Sequence, residues 1–324
     1  MTLRPSPTTA LWLGVVGSAL LAVGSFGAGA TRNRGGMLDY LGLEFLAYGH
    51  ARGLLNIALT VGLLLLVAGW VAAGRYVVAA RRESSVRDRL SYAESALWSA
   101  TAPLLLAAPL MSRDVYSYLM QGAMIRDGFD PYSEGAAVNP GPYLLEVSHD
   151  WRNTTTPYGP LHLWIGNGVT SFVGENVMAG IICYKFISLA GFAAIAWAVP
   201  RVARRLGGDP ALALWLGVAN PVMLIHMVGG MHNESVMVGL VSVGLVACLK
   251  RRFLLGTLLV GVAVSLKATA AVTLPFIVWM AAHHYAPSGS RPARRLGSFL
   301  ASGLAVVAVS VASVAAVTLS LIHI

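Results

Sequence analysis

Residues 111–118 read Met-Ser-Arg-Asp-Val-Tyr-Ser-Tyr and stand where an apolar run, residues 96–111, gives way to a polar segment, residues 112–160. In a chain that crosses a membrane, such a junction falls at the boundary between the apolar bilayer core and water. The stretch therefore holds a carboxylate, Asp114, at this boundary, on the end of a predicted rigid helix. The prediction of function depends on that carboxylate.

The composition is that of a membrane protein. The chain has 324 residues, of which 56% are hydrophobic and 11% are charged, and its mean hydropathy is +0.67. Several apolar runs reach about 20 residues, the length that crosses a bilayer core. The formal net charge of +9 comes from arginines clustered between the apolar runs, a pattern that indicates orientation in the membrane rather than a nucleic-acid partner. We predict one polytopic membrane domain, residues 1–324.

Clusters of arginine set the predicted topology. The densest cluster comprises Arg75, Arg81, Arg82, Arg87 and Arg89. Arginine-rich loops stay in the cytoplasm, so the following helix runs outward and carries Asp114 to the external face of the plasma membrane. Successive spans cross the membrane in opposite directions, with the basic clusters kept in the cytoplasm. This gives nine predicted spans: residues 10–30, 54–74, 93–111, 177–199, 211–228, 235–249, two short helices within 253–283, and 296–320. The predicted fold class is an all-α transmembrane helical bundle.

The polar segment, residues 112–160, holds six of the 14 acidic residues, namely Asp114, Asp127, Asp130, Glu134, Glu146 and Asp150. Long segments of this kind in compact proteins are usually functional. We predict an external catalytic loop ordered around several turns. The apolar stretch that follows, residues 161–173, is short for a crossing and contains two glycines, so we expect a helix that lies along the outer interface.

Asp114 has two interpretations. It either caps a helix or pairs with Arg113 or Arg126, or it acts as a base on a substrate. Tyr116 and Tyr118 follow it, the polar segment begins beside it, and two other turns with ionisable residues are predicted on the same face. This context favours the base.

The two other turns contain His232-Asn233-Glu234 and Lys267. Glu234 at a helix start is favourable with the helix dipole, and its spacing from His232 is not that of metal ligands, so no metal is predicted. Lys267 lies in a long stretch without another charged side chain, where a lysine is costly. It either reaches the membrane surface or binds a phosphate. Lys185, within a span, is expected to pair with a carboxylate of the bundle.

Four motifs carry a family resemblance: Arg-Asp-x-Tyr-x-Tyr from Arg113, Gly-x-Asp-Pro-Tyr from Gly128, Thr-Pro-Tyr-Gly-Pro from Thr156, and the turn His232-Asn233-Glu234. Together they resemble the GT-C glycosyltransferases that use polyprenyl-phosphate sugars. More narrowly, the chain is similar to the actinobacterial α-(1→6)-mannopyranosyltransferases of lipomannan synthesis. Tyr158, within the third motif, either belongs to an interfacial aromatic belt or lines a sugar site.

The resemblance implies a donor, polyprenyl-phosphate-mannose, an external α-(1→6)-mannan or lipomannan acceptor, and no cofactor. The family's loop aspartate, taken as general base, falls on Asp114, and the family's lysine at the lipid phosphate falls on Lys267. The predicted substrate-binding set comprises Arg113, Tyr116, Tyr158, His232, Glu234 and Lys267. Inverting transfer needs such a base and such a cation.

A membrane transporter of a lipid-linked or small polar solute is the alternative, because lysines within apolar helices and proline-interrupted helices are features that transporters share. Transporters usually contain an internal repeat, and none is visible in this sequence. The chain ends at Leu321-Ile322-His323-Ile324 directly after an apolar run. From this ending we expect a C-terminally truncated form of a longer family member.

Overall fold

The computed structural model describes residues 6–30, 38, 41–79 and 84–322, and these residues form helices and turns without a strand. The predicted cytoplasmic arginines Arg81 and Arg82 and the terminal His323 and Ile324 lie outside the described residues. The helices are α1 (Pro7–Ala28), α2 (Gly49–Ala79), α3 (Val86–Leu104), α4 (Asp114–Arg126), α5 (Pro142–Glu146), α6 (Pro160–Val173), α7 (Val177–Arg205), α8 (Pro210–Gly217), α9 (Pro221–Gly229), α10 (Glu234–Leu249), α11 (Phe253–Leu266), α12 (Leu274–Tyr285) and α13 (Pro292–Ile322).

Within the described residues, four helices are long and apolar enough to cross a membrane: α1, α2, α7 and the Pro292–Ser320 part of α13. Helices α8 and α9 meet the same test together, although the chain bends by 54° between them. The bend follows from Pro221, which has no N–H to continue the helical hydrogen bonds. Helices α10 and α11 are apolar but shorter. The chain is therefore a helical membrane protein, and the count of nine spans stays a prediction.

The predicted third span differs from the observed helix. We expected residues 93–111 to form one helix with Asp114 on its end, but α3 ends at Leu104. Three successive turns follow, including the bond from Ala107 N–H to Leu104 O, and then a non-helical link runs to residue 113. Pro109 lacks an N–H donor and cannot extend the helix. Asp114 instead opens the next helix, α4.

The polar segment is more helical than the sequence indicated. It contains α4 and α5, and α4 packs along α6. Gly122 and Gly166 face each other at this crossing, where a Cβ on Gly122 would lie 2.2 Å from the Gly166 carbonyl carbon. The two backbones can approach this closely because residue 122 is a glycine and has no Cβ. The expected helix at residues 161–173 is present as α6.

Helix α11 ends at Leu266, and Lys267 adopts an extended conformation before a 3-10 helix, Ala268–Thr273, leads into α12. The predicted break near Lys267 is therefore confirmed. The Thr-Pro-Tyr-Gly-Pro motif packs against this break, because Gly159 N–H donates to Leu266 O at 2.9 Å.

Lys185, in the first third of α7, does not pair with a carboxylate as we expected. Its ammonium donates to the backbone carbonyls of Leu104, Val228 and Gly229 at 3.3, 3.1 and 3.4 Å. Two helices end at these carbonyls, and their last carbonyls lack helical donors. The lysine therefore adds donors to carbonyls at which helical hydrogen bonding stops, beside the turn bond that Ala107 N–H donates to Leu104 O and the bond that Leu110 N–H donates to Gly229 O.

Candidate active site

Four predicted site residues meet in one chain of contacts. Asp114 Oδ2 lies 3.4 Å from His232 Nδ1, and this nitrogen lies 3.7 Å from Glu234 Oε2. The other oxygen of that carboxylate accepts a hydrogen bond from Lys267 Nζ. Three separate segments of the chain thus bring two carboxylates, an imidazole and an ammonium together, as the sequence analysis expected of a shared face.

The two carboxylates each begin a helix. Asp114 is the first residue of α4, where its own N–H donates to Ser112 Oγ at 3.1 Å, and Glu234 is the first residue of α10. The N-terminus of a helix carries a partial positive charge that stabilises an anion. Both carboxylates therefore lie at the positive end of a helix dipole.

Their partners nevertheless distinguish the two carboxylates. The neighbouring His232 and the ammonium of Lys267 lower the pKa of Glu234 to about 2. Asp114, in contrast, pairs with neither Arg113 nor Arg126. Arg113 is bonded to Glu146 and Arg126 to Asp127, so the simple pairing that the sequence left open for Asp114 is not formed.

Tyr158 borders the cluster. Its ring lies under Lys267, with Nζ 5.3 Å from the ring centroid, a geometry that attracts a cation to the aromatic face. Burial raises the pKa of Tyr158 to about 12, so its hydroxyl stays protonated. Tyr158 lies beside the end of α11, because the next residue, Gly159, bonds to Leu266 there.

Arg113 and Tyr116 contact each other, and Arg113 also contacts Glu146. Arg113 Nε donates to Glu146 O at 3.0 Å, and its guanidinium lies 5.6 Å from the Tyr116 ring centroid. Tyr116, on α4, is only 1% exposed and packs in a buried hydrophobic cluster. In this structure the Tyr116 ring is buried and contacts the Arg113 guanidinium, so its assignment to the substrate-binding set stays a prediction.

His162 and its partner Gln121 were missed in the sequence analysis. His162, on α6, is buried and contacts Asn233, the residue between His232 and Glu234. Its Nε2 lies 3.0 Å from Gln121 Oε1, which also accepts from Thr156 Oγ1 at 3.1 Å. Burial lowers the pKa of His162 to about 3, so the ring is neutral. Because Gln121 Oε1 can only accept, the proton of this neutral ring sits on Nε2, and Nδ1 accepts from the Asn233 amide.

His162 thereby links the turn that carries His232 and Glu234 to the Thr-Pro-Tyr-Gly-Pro motif. The sequence signal was a histidine two positions after Pro160, within the apolar first part of this helix. Among the residues that the structure describes, no group of three or more His, Cys, Asp or Glu side chains is arranged to hold a metal ion.

Comparison with known proteins places this site in a family. A family described as "alpha-(1->6)-mannopyranosyltransferase, N-terminal domain" matches residues 11–283. The chain belongs to this family. The matched residues include Asp114, His232, Glu234 and Lys267, so the whole chain of contacts lies in this N-terminal domain.

Several relatives are similar to this member of the family. Alpha-(1->6)-mannopyranosyltransferase A of Corynebacterium glutamicum is 57% identical over 309 residues, which cover 92% of this chain and 63% of the relative. The enzyme of the same name from Mycobacterium tuberculosis is 41% identical over 273 residues, 84% of this chain and 52% of the relative. The chain thus spans less than two thirds of the length of these relatives. No solved structure matches the chain significantly.

Proposed function

We propose that this chain carries the donor site and the catalytic base of a GT-C glycosyltransferase that moves mannose from polyprenyl-phosphate-mannose to an α-(1→6)-mannan acceptor on the external face of the plasma membrane. The observation that carries the proposal is the continuous contact from Asp114 through His232 and Glu234 to Lys267. A base and a cation are both needed, and here they lie at one site. The names of the relatives support mannose as the sugar and an α-(1→6) linkage.

The reaction joins an acceptor hydroxyl to C1 of mannose while the bond from C1 to the phosphate oxygen breaks. The hydroxyl proton goes to a carboxylate, and the electron pair of the broken bond leaves on the phosphate. Attack opposite the phosphate inverts the configuration at C1. Polyprenyl phosphate is already a good leaving group, so one base and one cation suffice.

Asp114 suits the base better than Glu234 does. The Glu234 carboxylate is held by Lys267, and its pKa of about 2 makes it a weak proton acceptor. The Asp114 carboxylate is about one third exposed and contacts only an imidazole among the basic side chains described. His232 then orients Asp114, and Lys267, held by Glu234, faces the lipid phosphate.

Two buried polar atoms at the site support a ligand there. Among the described residues, His232 Nε2 and Glu234 Oε2 have no hydrogen-bond partner. Buried polar atoms are normally paired, and exceptions cluster at functional sites. Hydroxyl groups of a sugar would supply the missing partners.

The test is transfer of labelled mannose from polyprenyl-phosphate-mannose to a short, membrane-impermeant α-(1→6)-mannoside, with the full-length polypeptide in sealed vesicles of known orientation. We expect product only where the predicted external face is accessible to the acceptor. Asp114→Asn should reduce turnover about 10²- to 10⁴-fold, the usual contribution of a general base.

Asp150→Asn is the matched control, because it removes an exposed carboxylate from the same polar segment and should leave turnover unchanged. Near-normal transfer by Asp114→Asn, in protein that inserts like the wild type, would refute the assignment of the base. Uptake of a solute without sugar transfer would instead favour the transporter, which the relatives do not favour.

A further inference from the structure

The ammonium of Lys185 is buried in the interior of the helical bundle, and the proposed chemistry does not use it. Its side chain is 6% exposed. Its Nζ contacts carbonyl oxygens of Leu104, Val228 and Gly229. Leu104 is the last residue of α3, and Val228 and Gly229 are the last two residues of α9. One side chain on α7 therefore holds the C-terminal ends of two other helices.

An ammonium at this position is favourable for both helices. The carbonyls at a helix C-terminus lack helical donors and carry a partial negative charge. A lysine inside an apolar helix is otherwise costly. Lys185 has three donors, and the structure gives each of them an oxygen within 3.4 Å. The pairing accounts for a basic residue within the apolar helix α7.

The two fastened ends lead directly to the reacting groups. The chain from Leu104 reaches Asp114, and the chain from Gly229 reaches His232 three residues later. The same two segments are joined again where Leu110 N–H donates to Gly229 O at 3.2 Å. Gly229 O thus accepts hydrogen bonds from both Lys185 and Leu110. We call this meeting point of Lys185 with the two segments the junction.

Both segments turn sharply between this junction and the site. Met111 and Met231 have φ angles of 58° and 55°, in the left-handed region that non-glycine residues rarely adopt. Such strained conformations persist only when the surrounding structure holds them. The junction at Lys185 lies just before each strained residue, so it is in a position to hold both.

We propose that Lys185 is a positioning residue: by fastening the ends of α3 and α9 at one point, it sets the 3.4 Å separation between Asp114 and His232. This inference rests on the proposed function, in which that pair forms the base. The alternative is that Lys185 only stabilises the fold and does not set the distance between Asp114 and His232.

Ser188 provides the matched control. It lies one helical turn after Lys185 on α7, donates to Met227 O, and contacts Ser235 Oγ at 2.9 Å. It therefore fastens α9 to α7 as Lys185 does, but it has no contact with the end of α3 among its described partners. Ser188→Ala should lower thermal stability without separating Asp114 from His232.

The experiment uses the full-length polypeptide in lipid, with Lys185→Met, Lys185→Arg and Ser188→Ala. We expect Lys185→Met to lower kcat at least tenfold while KM for the lipid donor changes less than threefold, because the base is displaced and the phosphate site is not. Lys185→Arg, which keeps a charged donor, should recover part of kcat. Ser188→Ala should keep a kcat within threefold of wild type.

A double-mutant cycle separates positioning from general stabilisation. If Lys185 acts through His232, Lys185→Met should reduce kcat by a much smaller factor in a His232→Gln background than in the wild type. If the effect of Lys185 is purely structural, the fold-reductions in kcat of the two substitutions should multiply. Amide hydrogen exchange provides a readout that does not depend on activity. Exchange should accelerate at residues 105–113 and at residues 226–233 in Lys185→Met, but only at residues 226–233 in Ser188→Ala.

A Lys185→Met protein with wild-type kcat, or an unchanged exchange pattern at residues 105–113, would overturn the inference. If Lys185→Met does not yield folded protein, Lys185→Gln takes its place, because it keeps amide donors while removing the charge. Failure of the proposed function has a different signature: wild-type protein without mannosyl transfer, with the exchange differences still present.

Discussion

The carboxylate of Asp114 and the imidazole of His232 lie 3.4 Å apart, although 118 positions separate the two residues in the sequence. Each follows a helix end that Lys185 fastens, and each comes after a methionine in the left-handed conformation. The pair is therefore a product of the fold and not of a local motif. In the proposed mechanism the imidazole orients the base.

His232→Gln tests this orienting role. We expect kcat to fall about 10- to 100-fold, less than the 10²- to 10⁴-fold that loss of the base itself would cause, because Asp114 remains but is less well placed. Steady-state transfer kinetics with the full-length polypeptide provide the measurement. His149→Gln, which replaces an exposed histidine of the polar segment, should behave as wild type. Equal losses for His232→Gln and Asp114→Asn would instead make the imidazole part of the proton-transfer step.

The ion pair between Lys267 and Glu234 leads to a second prediction. If Lys267 binds the donor phosphate, Lys267→Met should raise KM for polyprenyl-phosphate-mannose, and adding Glu234→Gln should not restore it. If Lys267 only neutralises Glu234, the double variant should have the KM of the wild type. For stability, the two substitutions should be non-additive, with a coupling of about 0.5 to 3 kcal/mol as for residues in direct contact.

That cycle requires KM and thermal unfolding of the wild type, both single variants and the double variant. Lys250→Met is a suitable control, since Lys250 lies at the opposite end of α10 from Glu234. A full recovery of KM in the double variant would remove Lys267 from the phosphate site.

Gly159 leads to a third prediction, because a Cβ there would lie 2.2 Å from the carbonyl oxygen of Ser265. Gly159→Ala must push the Thr-Pro-Tyr-Gly-Pro motif away from the end of α11 and weaken the bond from Gly159 N–H to Leu266 O. We expect a loss of about 1 to 3 kcal/mol, typical of overpacking, and a rise in donor KM as Tyr158 moves from Lys267.

Gly168→Ala is the matched control on the following helix, because an added Cβ at Gly168 meets nothing within 4 Å. There, alanine should raise stability by up to about 1 kcal/mol through helix propensity. Thermal unfolding and the KM for the lipid donor, measured for both variants, test this prediction. Equal stability of the two alanine variants would show that the motif and α11 are not held together.

The sequence predicted those parts of the site that chain continuity and charge control. The break at Lys267 follows from an apolar run too long for one crossing between two basic clusters, and the turn at Glu234 follows from two adjacent apolar runs. Two predictions were wrong: one helix over residues 93–111, which instead ends at Leu104, and a carboxylate partner for Lys185. Proline geometry decides the first, and packing between distant helices decides the second. His162 and Gln121 were missed for the same reason: they meet only because Gly122 and Gly166 let α4 and α6 approach closely.

His162 leads to the last prediction, which concerns pH. Burial lowers its pKa from 6.5 to about 3, so between these values the unfolded chain binds a proton at His162 and the folded chain does not. Stability is therefore lost as pH falls from about 6.5 towards 3, with a slope of up to about 1.4 kcal/mol per pH unit from this one residue. His162→Gln cannot titrate and should show a correspondingly shallower decline, although its stability at pH 7 should be lower because the bonds to Asn233 and Gln121 are altered. Thermal unfolding of wild type, His162→Gln and the exposed-site control His50→Gln, measured in one detergent from pH 4 to pH 7, tests this. If wild type and His162→Gln decline in parallel over that interval, His162 is protonated in the folded chain and does not hold Asn233 as a neutral acceptor.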